Sequence, residues 1–597
     1  MALFTPSESP AVVVREIDLT GGVPNVQSTT GAIVGNFRWG PVLERTTVSN
    51  EAELVENFAS PSDSNAVDFF SATHFLRYSG SLKVVRNIDA TAKSAFSMQG
   101  DSTGTTLSNT NYTIDNPLVL SSTDFDQRDT SLVSARDSDG ELGYGFVARF
   151  PGKLGNSIKV SYLPADSTGD LFNSWAYKSS FNEKPQTTFF ASNRGITNDE
   201  LHLVVIDENG AITGTEGTIL ETFPALSILT DAKNFEGQSV YAPDVVNARS
   251  QYIYMINVDE ELVAKGAGTA SVNDTNYILD SASVRTVSLA GGVNSNALGT
   301  AEILGAFDLF EDKDQVEVDF LIAPSMNVRA DQTTVVNDLV STARLTRKDC
   351  VVVASPARDD VIGVTSDATK VTNIVATADT FTNSSYLVMD NNFLKVYDKY
   401  NDKYIFIPAA SSIAGVMAAT DFNRAAWFSP AGSRRGQIFG ITSLAYSPTK
   451  AQRDTLYKAG VNPIANIPGQ GTLLFGDKTM IRYPSAFDRI NVRRLFLILE
   501  RAIGRAAEQV LFEFNDEFTR ANFVNIVEPV LREVQGRRGI TDFRVVCDET
   551  NNTAAVIDRN EFKADIFIKP ARSINYVTLS FVAVRTGVDF EEVVGTV

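Results

Sequence analysis

Three groups of side chains in this sequence have types and spacing that could do chemistry. The first is a row of arginines. Arg494, Arg501 and Arg505 stand seven and four residues apart, with Arg493 on their flank, in the stretch from Asp488 to Leu511. At 100° per residue they fall on one side of a helix, opposite an apolar stripe of Val492, Leu495, Phe496, Leu499, Ile503, Ala506 and Val510. Such a row suits electrostatic contact with carboxylates; the plain alternative is a solvated face in which Arg505 pairs with Glu508. The second group is Gly471-Thr-Leu-Leu-Phe-Gly-Asp-Lys-Thr479, a phosphate-loop pattern interrupted by Asp477. The insertion displaces the lysine and puts a carboxylate where phosphates would sit, and Leu473, Leu474 and Phe475 suit a strand better. The third group is His74, His202, Cys350 and Cys547, the only histidines and cysteines. They are too scattered for a zinc site. Both histidines read as packed or surface residues, and both cysteines, in valine-rich runs, as buried thiols. Phe310-Glu-Asp-Lys-Asp and Asp137-Ser-Asp-Gly-Glu lack calcium-loop spacing. The expectation is no catalytic residue, no cofactor and no metal.

The elements that must position these residues belong to a long chain. At 597 residues, 43% apolar and 21% charged, it exceeds a single core and reads as several globular domains. The net charge of −20 argues against nucleic acid or an anionic membrane as partner, and makes a local arginine row stand out. Two cysteines cannot build a disulfide framework, which fits folding in a reducing cytoplasm. The first ten residues lack the basic and apolar regions of a secretory signal, and no run reaches membrane-spanning length, so no membrane insertion is expected.

Residues 1–22 read as an arm: a Ser/Pro tether, then the strand Ala11–Leu19, released by Gly21-Gly22. An open β-branched edge on a tether needs pairing, either in its own sheet or in another subunit's. Residues 23–90 alternate strand and helix. Residues 91–200 turn polar and Gly-rich, as in a β-rich surface insertion. Alternation resumes at Leu201-His-Leu-Val-Val-Ile-Asp and runs to 365, completing an α/β core. A β-hairpin connector is expected over 366–407 and a C-terminal α/β domain over 408–570. Residues 571–597 form a second arm, in which Val577, Leu579, Phe581 and Ala583 alternate with Tyr576, Thr578 and Ser580 at strand period.

Several stretches, in order, resemble the tail sheath proteins of contractile bacteriophages, the T4-like group in particular. They are Ser9-Pro-Ala-Val-Val-Val-Arg-Glu-Ile-Asp, Ala148-Arg-Phe-Pro-Gly-Lys-Leu-Gly-Asn156, Asp207-Glu-Asn-Gly-Ala-Ile-Thr-Gly-Thr and Ser288-Leu-Ala-Gly-Gly292. Arg347-Lys-Asp-Cys-Val-Val-Val-Ala-Ser-Pro356, Ala426-Trp-Phe-Ser-Pro-Ala-Gly432 and Arg537-Arg-Gly-Ile-Thr-Asp-Phe543 continue the series. Little of 91–200 matches.

The resemblance implies a subtilisin-like α/β core without catalytic residues, in a virion tail protein made in the host cytoplasm. It implies a homo-oligomer, a helical sheath of hexameric rings around an inner tail tube protein, ending at baseplate and tail terminator proteins. Contraction would drive the tube through the host envelope for genome ejection. On that view Val12, Val13, Val14 and Ile17 of one subunit, and Val577, Leu579, Phe581 and Ala583 of another, add to the sheet of a third. Arg493, Arg494, Arg501 and Arg505 would face acidic groups of the tube. A sheath of a phage-derived bacteriocin or injector is the near alternative, and a subtilisin-like hydrolase the distant one.

Overall fold

The computed structural model describes residues 29–89, 91–98, 144–165, 170–257, 284–295 and 298–573. The expected terminal strands, with Val12–Ile17 and Val577–Ala583, lie outside the described residues. The described chain divides into two compact units: residues 27–424 with 430–490, and residues 425–429 with those from 491 onward.

Short runs of β-branched and other apolar residues make the larger unit's central sheet. Its strands are β1 (Gly31–Gly35), β2 (Arg45–Val48), β3 (Leu82–Arg86), β4 (Phe320–Ile322), β5 (Val351–Ala354), β6 (Leu387–Asp390) and β7 (Val461–Asn462). Their order is β7-β6-β5-β4-β1-β3-β2. All neighbours are parallel except the β2–β3 edge. Every residue of β1, β4, β5 and β6 is buried, as parallel strands covered on both faces require. Helices such as α1 (Ala66–Leu76) and α2 (Ala410–Asn423) carry the flanking apolar surface.

Strand order reverses between β1 and β4, where open α/β sheets hold ligands beyond the strand ends. Here that position is filled by the chain itself. Asn36, just past β1, is buried; its amide donates to Asp68 Oδ2 at 2.8 Å and its Nδ2 to the Ser295 carbonyl at 3.5 Å. Burial pushes the Asp68 carboxyl up to about 6.

Three expected boundaries are corrected. Leu201–Asp207 does not reopen the α/β core. It lies within the strand Glu200–Asp207 of a four-stranded antiparallel sheet, between Ile158–Pro164 and Thr218–Ser227, with Arg285–Ser288 beyond. Its unbroken apolar run misleads because both faces are covered. Leu201, Leu203 and Val205 pack with Phe146 and Tyr162, whereas Val204 and Ile206 pack with Trp175. The β-rich body therefore continues past residue 200 to Ser288.

The second correction concerns 366–407. The hairpin Phe393–Asp398 with Lys403–Pro408 is present, but Asp367–Thr380 is a helix and β6 is a core strand. Two apolar runs that read as one hairpin are parted by a corner at Asn391-Asn392. Both asparagines are buried: Asn391 Nδ2 donates to Tyr446 Oη at 2.9 Å and Asn392 Nδ2 to the Tyr446 carbonyl at 2.8 Å. Third, residues 408–424 and 430–490, with α2 and β7, belong to the larger unit, and the smaller one takes residues 425–429 and those from Asn491 onward.

The smaller unit comprises α3 (Ile490–Glu508, from Asn491 on), α4 (Glu517–Gly536), β8 (Ile540–Val546) and β9 (Asp565–Pro570). Asp516 caps α4 by accepting the Thr519 amide at 2.8 Å. Leu495 and Leu499 meet Phe523, Val527 and Leu531 at helical spacing, and Ile540 closes the core with Phe543, Val545, Ile566 and Ile568 partly buried against it. Sheet alternation leaves Asp542, Arg544, Phe567 and Lys569 facing outward.

Candidate assembly surfaces and the residues expected to do chemistry

The residues with catalytic potential are each committed to structure. His74 on α1 is buried, its Nδ1 3.2 Å from Ser412 Oγ on α2, and burial pushes its pKa down to about 3. His202 donates from Nε2 to the Glu183 carbonyl at 2.8 Å and accepts the Ala225 amide at Nδ1 at 3.0 Å. That fixes its neutral tautomer, and burial lowers its pKa. Its ring stacks on Phe181 at 4.5 Å. Both cysteines are free and buried. Burial raises the Cys350 thiol to about 12 and also raises that of Cys547, the opposite of nucleophile activation.

A second serine stands where a doubly wound fold often carries chemistry, past the end of β5. Ser355 Oγ donates to Asp390 Oδ2 at 2.7 Å and accepts the Ala410 amide at 3.0 Å, with both side chains buried. Burial raises Asp390 to about 7. Histidine and aspartate thus sit on different serines, His74 on Ser412 and Asp390 on Ser355. Neither set forms the nucleophile–base–acid relay of a serine hydrolase.

The interrupted phosphate loop is a strand. Gly471–Leu474 pairs antiparallel with Ile464–Ile467. Asp477 binds Arg489 at 2.8 Å, Lys478 Nζ donates to the Tyr457 carbonyl at 2.8 Å, and Thr479 Oγ1 to the Phe487 carbonyl at 2.8 Å. Among the described residues, no group of three His, Cys, Asp or Glu could hold a metal ion, and no helix is long and apolar enough to cross a membrane.

The Pro151–Asn156 turn gains a physical role as the root of the β-rich body. Asn156 clamps Gly292 from both sides, Oδ1 accepting its amide at 2.7 Å and Nδ2 donating to its carbonyl at 3.0 Å. A Cβ at Gly155 would lie 2.7 Å from Ala148 Cβ, and one at Gly292 would strike the Gly152 carbonyl. The sequence reading missed Arg86, which holds this root. The guanidinium is buried and donates to three carbonyls, Phe37 at 2.8 Å, Gly40 at 2.7 Å and Pro151 at 2.5 Å. Burial brings its pKa down to about 9. An arginine ending the apolar strand Leu82-Lys-Val-Val-Arg86 was the available signal.

The expected arginine row divides. Ile490–Leu495 is buried all round, Arg493 and Arg494 included, so those two do not lie on an open face. Helical spacing identifies the side a residue takes but not how many neighbours enclose the helix start. Arg501 and Arg505 are half-buried, and none of the four is without a partner.

The β8–β9 pair supplies a different surface. It is a two-stranded antiparallel ribbon, with Phe543 opposite Ile568 and Val545 opposite Ile566. Among the described residues neither outer edge carries a further strand. Two strands alone make a marginal sheet, and open edges are templates for added strands.

Residues 296–480 match the phage tail sheath protein central domain family and residues 483–583 the phage tail sheath C-terminal domain family. The chain is 32% identical over 662 residues to the tail sheath protein of Enterobacteria phage T4, covering 98% of this chain and 99% of that protein. It is 32% identical over 677 residues to that of Vibrio phage KVP40, with the same coverage. A sheath tail protein from Listeria innocua has the same fold at a TM-score of 0.51 and 10% identity, covering 91% of this chain and 96% of that chain.

Proposed function

We infer the work of this chain from one premise: it belongs to the phage tail sheath protein family. It is a structural subunit of a contractile tail sheath, a component of the virion tail. The finer reading is that subunits are knitted by exchanged strands. The observation that carries it is the β8–β9 ribbon, whose two outer edges are free of strands among the described residues. A strand around Val12, Val13, Val14 and Ile17 from one neighbour, and one around Val577, Leu579, Phe581 and Ala583 from another, would complete a four-stranded sheet.

Each added strand of five or six residues contributes about 5 kcal/mol at about 1 kcal/mol net per hydrogen bond. Alternate side chains set its register. Since every subunit gives and receives, the contacts are heterologous and propagate as an open helix, here built from hexameric rings. Links between each body and its donated strands would let bodies rotate while strands stay paired, so that the sheath shortens without coming apart. Arg501 and Arg505 meet acidic groups of the inner tube through contacts worth about 0–1 kcal/mol each, weak enough to release. The baseplate and the tail terminator bound the polymer. The larger unit is a catalytically idle relative of subtilisin-like folds, which the split between Ser355–Asp390 and Ser412–His74 supports.

Deleting residues 1–20 tests the reading. The truncated chain is expected to stay folded and monomeric by circular dichroism and sedimentation, and to form no tubes by electron microscopy. Normal tubes from that chain would overturn strand exchange.

A further inference from the structure

The turn joining α3 to α4 displays side chains that a solitary protein would bury. Phe512 is fully exposed, Phe514 and Phe518 are 84% and 80% exposed, and Leu511 lies beside them. Scattered apolar residues on a surface need no explanation, but four in eight consecutive positions form a patch that water disfavours. The turn is also built. Phe512 holds φ at +72°, a left-handed backbone that costs a bulky residue energy and persists only where the surroundings impose it. Asn515 Nδ2 donates to Asn552 Oδ1 at 3.1 Å and to the Glu561 carbonyl at 2.9 Å, while buried Arg520 donates to Asn515 Oδ1 at 2.9 Å. The aromatics therefore sit on a fixed platform.

Charge narrows the occupant. From Glu508 to Phe518 there are four carboxylates, Glu508, Glu513, Asp516 and Glu517, and no basic residue. The stretch Phe422–Arg435 has the inverse character, with three arginines and no carboxylate. Arg424 and Arg434 are exposed, and Arg435 is close enough to feel their charge, its pKa lowered by burial and then by both neighbours. Gly436 donates its amide to the Gly432 carbonyl at 2.7 Å and Gly432 its own to the Leu474 carbonyl at 2.9 Å, so this turn is fixed as well. Phe422, 83% exposed, stands beside Arg424 in sequence and supplies an apolar counterpart.

We propose that the Leu511–Phe518 turn of one copy docks on the Arg424, Arg434, Arg435 and Phe422 surface of a second copy. Among the described residues the turn stays open to solvent, and in a chain of net charge −20 a surface of three arginines, two of them exposed, is complementary to an acidic turn. Patch and surface differ, so the contact is heterologous and repeats along a polymer. Aromatic side chains supply the buried area, and the charge pairs fix orientation and partner choice. The inference rests on the reading of this chain as a polymer-forming sheath subunit.

Charge exchange tests it. Glu513→Arg with Glu517→Arg in one variant, and Arg424→Glu with Arg434→Glu in another, are each expected to raise the concentration for half-maximal polymerisation about tenfold, with circular dichroism unchanged. All four substitutions in one chain are expected to restore most of the loss. Phe512→Ser with Phe514→Ser, which leaves charge alone, is expected to weaken polymers without rescue by any arginine change. Wild-type chain that forms no polymer at all fails the sheath reading. Wild-type polymers with either charge variant polymerising normally, or with no recovery on combination, overturn the docking. Loss confined to co-assembly on inner tubes assigns the turn to the tube and also overturns it.

Discussion

Replacing Asp390 by asparagine isolates one buried charge and gives a pH signature that packing cannot imitate. Asp390 Oδ2 accepts from Ser355 Oγ at 2.7 Å and Oδ1 accepts the Asn392 amide at 2.9 Å. Both bonds favour the carboxylate, yet burial outweighs them and holds the pKa at about 7. In the unfolded chain an aspartate titrates near 3.9. The folded state therefore keeps a proton that the unfolded state has released, and stability falls as pH rises between those values. The slope approaches about 1.4 kcal/mol per pH unit and the total is about 4 kcal/mol. Asparagine keeps Oδ1 as acceptor for the Asn392 amide and presents Nδ2 as a donor to Ser355 Oγ, as the protonated acid does, but cannot ionise. Urea midpoints of dilute, depolymerised chain are the assay. Asp390→Asn is expected to match the parent or trail it slightly at pH 5 and to exceed it at pH 8, the difference growing by about 3 kcal/mol across the interval. Parallel curves for parent and variant would show that the carboxylate is ionised when folded and that the two donors outweigh burial.

Arg86→Met keeps the apolar stem but strips donors from the carbonyls of Phe37, Gly40 and Pro151. At about 1–3 kcal/mol for each buried acceptor, softened by entering water, a loss of about 3 kcal/mol is expected in urea unfolding. Gly292→Ala pushes a methyl group at the Gly152 carbonyl and should cost about 2 kcal/mol, read as a lower melting temperature. Charge reversal at Arg501 and Arg505 should abolish co-sedimentation with inner tubes while tube-free polymers persist. Cys350, buried with a raised pKa, should resist a thiol reagent until urea unfolds the chain.

Much of this was legible in the sequence, and the misses share a cause. The short valine-rich strands of the core, the hairpin at Phe393–Pro408 and the α3 helix follow from periodicity, because local spacing decides which face is apolar. Glu200–Asp207 was misplaced because periodicity reports burial and not the partner: a strand covered by the Tyr162 cluster and the Trp175 cluster reads like a parallel core strand. The burial of Arg493 and Arg494 was not legible for the complementary reason, since spacing assigns a side of a helix and not what encloses it. Gly155 and Asn156 were visible only as a motif, and their roles as close approach and clamp need the third dimension.

The distribution of satisfied and open polar groups ties stability to the work. In the larger unit, buried charge is consumed internally: Arg86 by three carbonyls, and Arg347 by the Phe310 and Val316 carbonyls and Asp349. Such groups are costly to bury and contribute little net stability, but their directional bonds admit few alternative packings. A subunit whose output is displacement benefits from that trade, because a body that bends would absorb motion that has to reach its neighbours. The smaller unit is the converse, with ribbon edges free of strands among the described residues and phenylalanines turned outward. Internally these features stabilise little; in the assembly proposed above they would supply cohesion between copies. A mutation that loosens the Arg86 root should therefore impair contraction before it impairs folding.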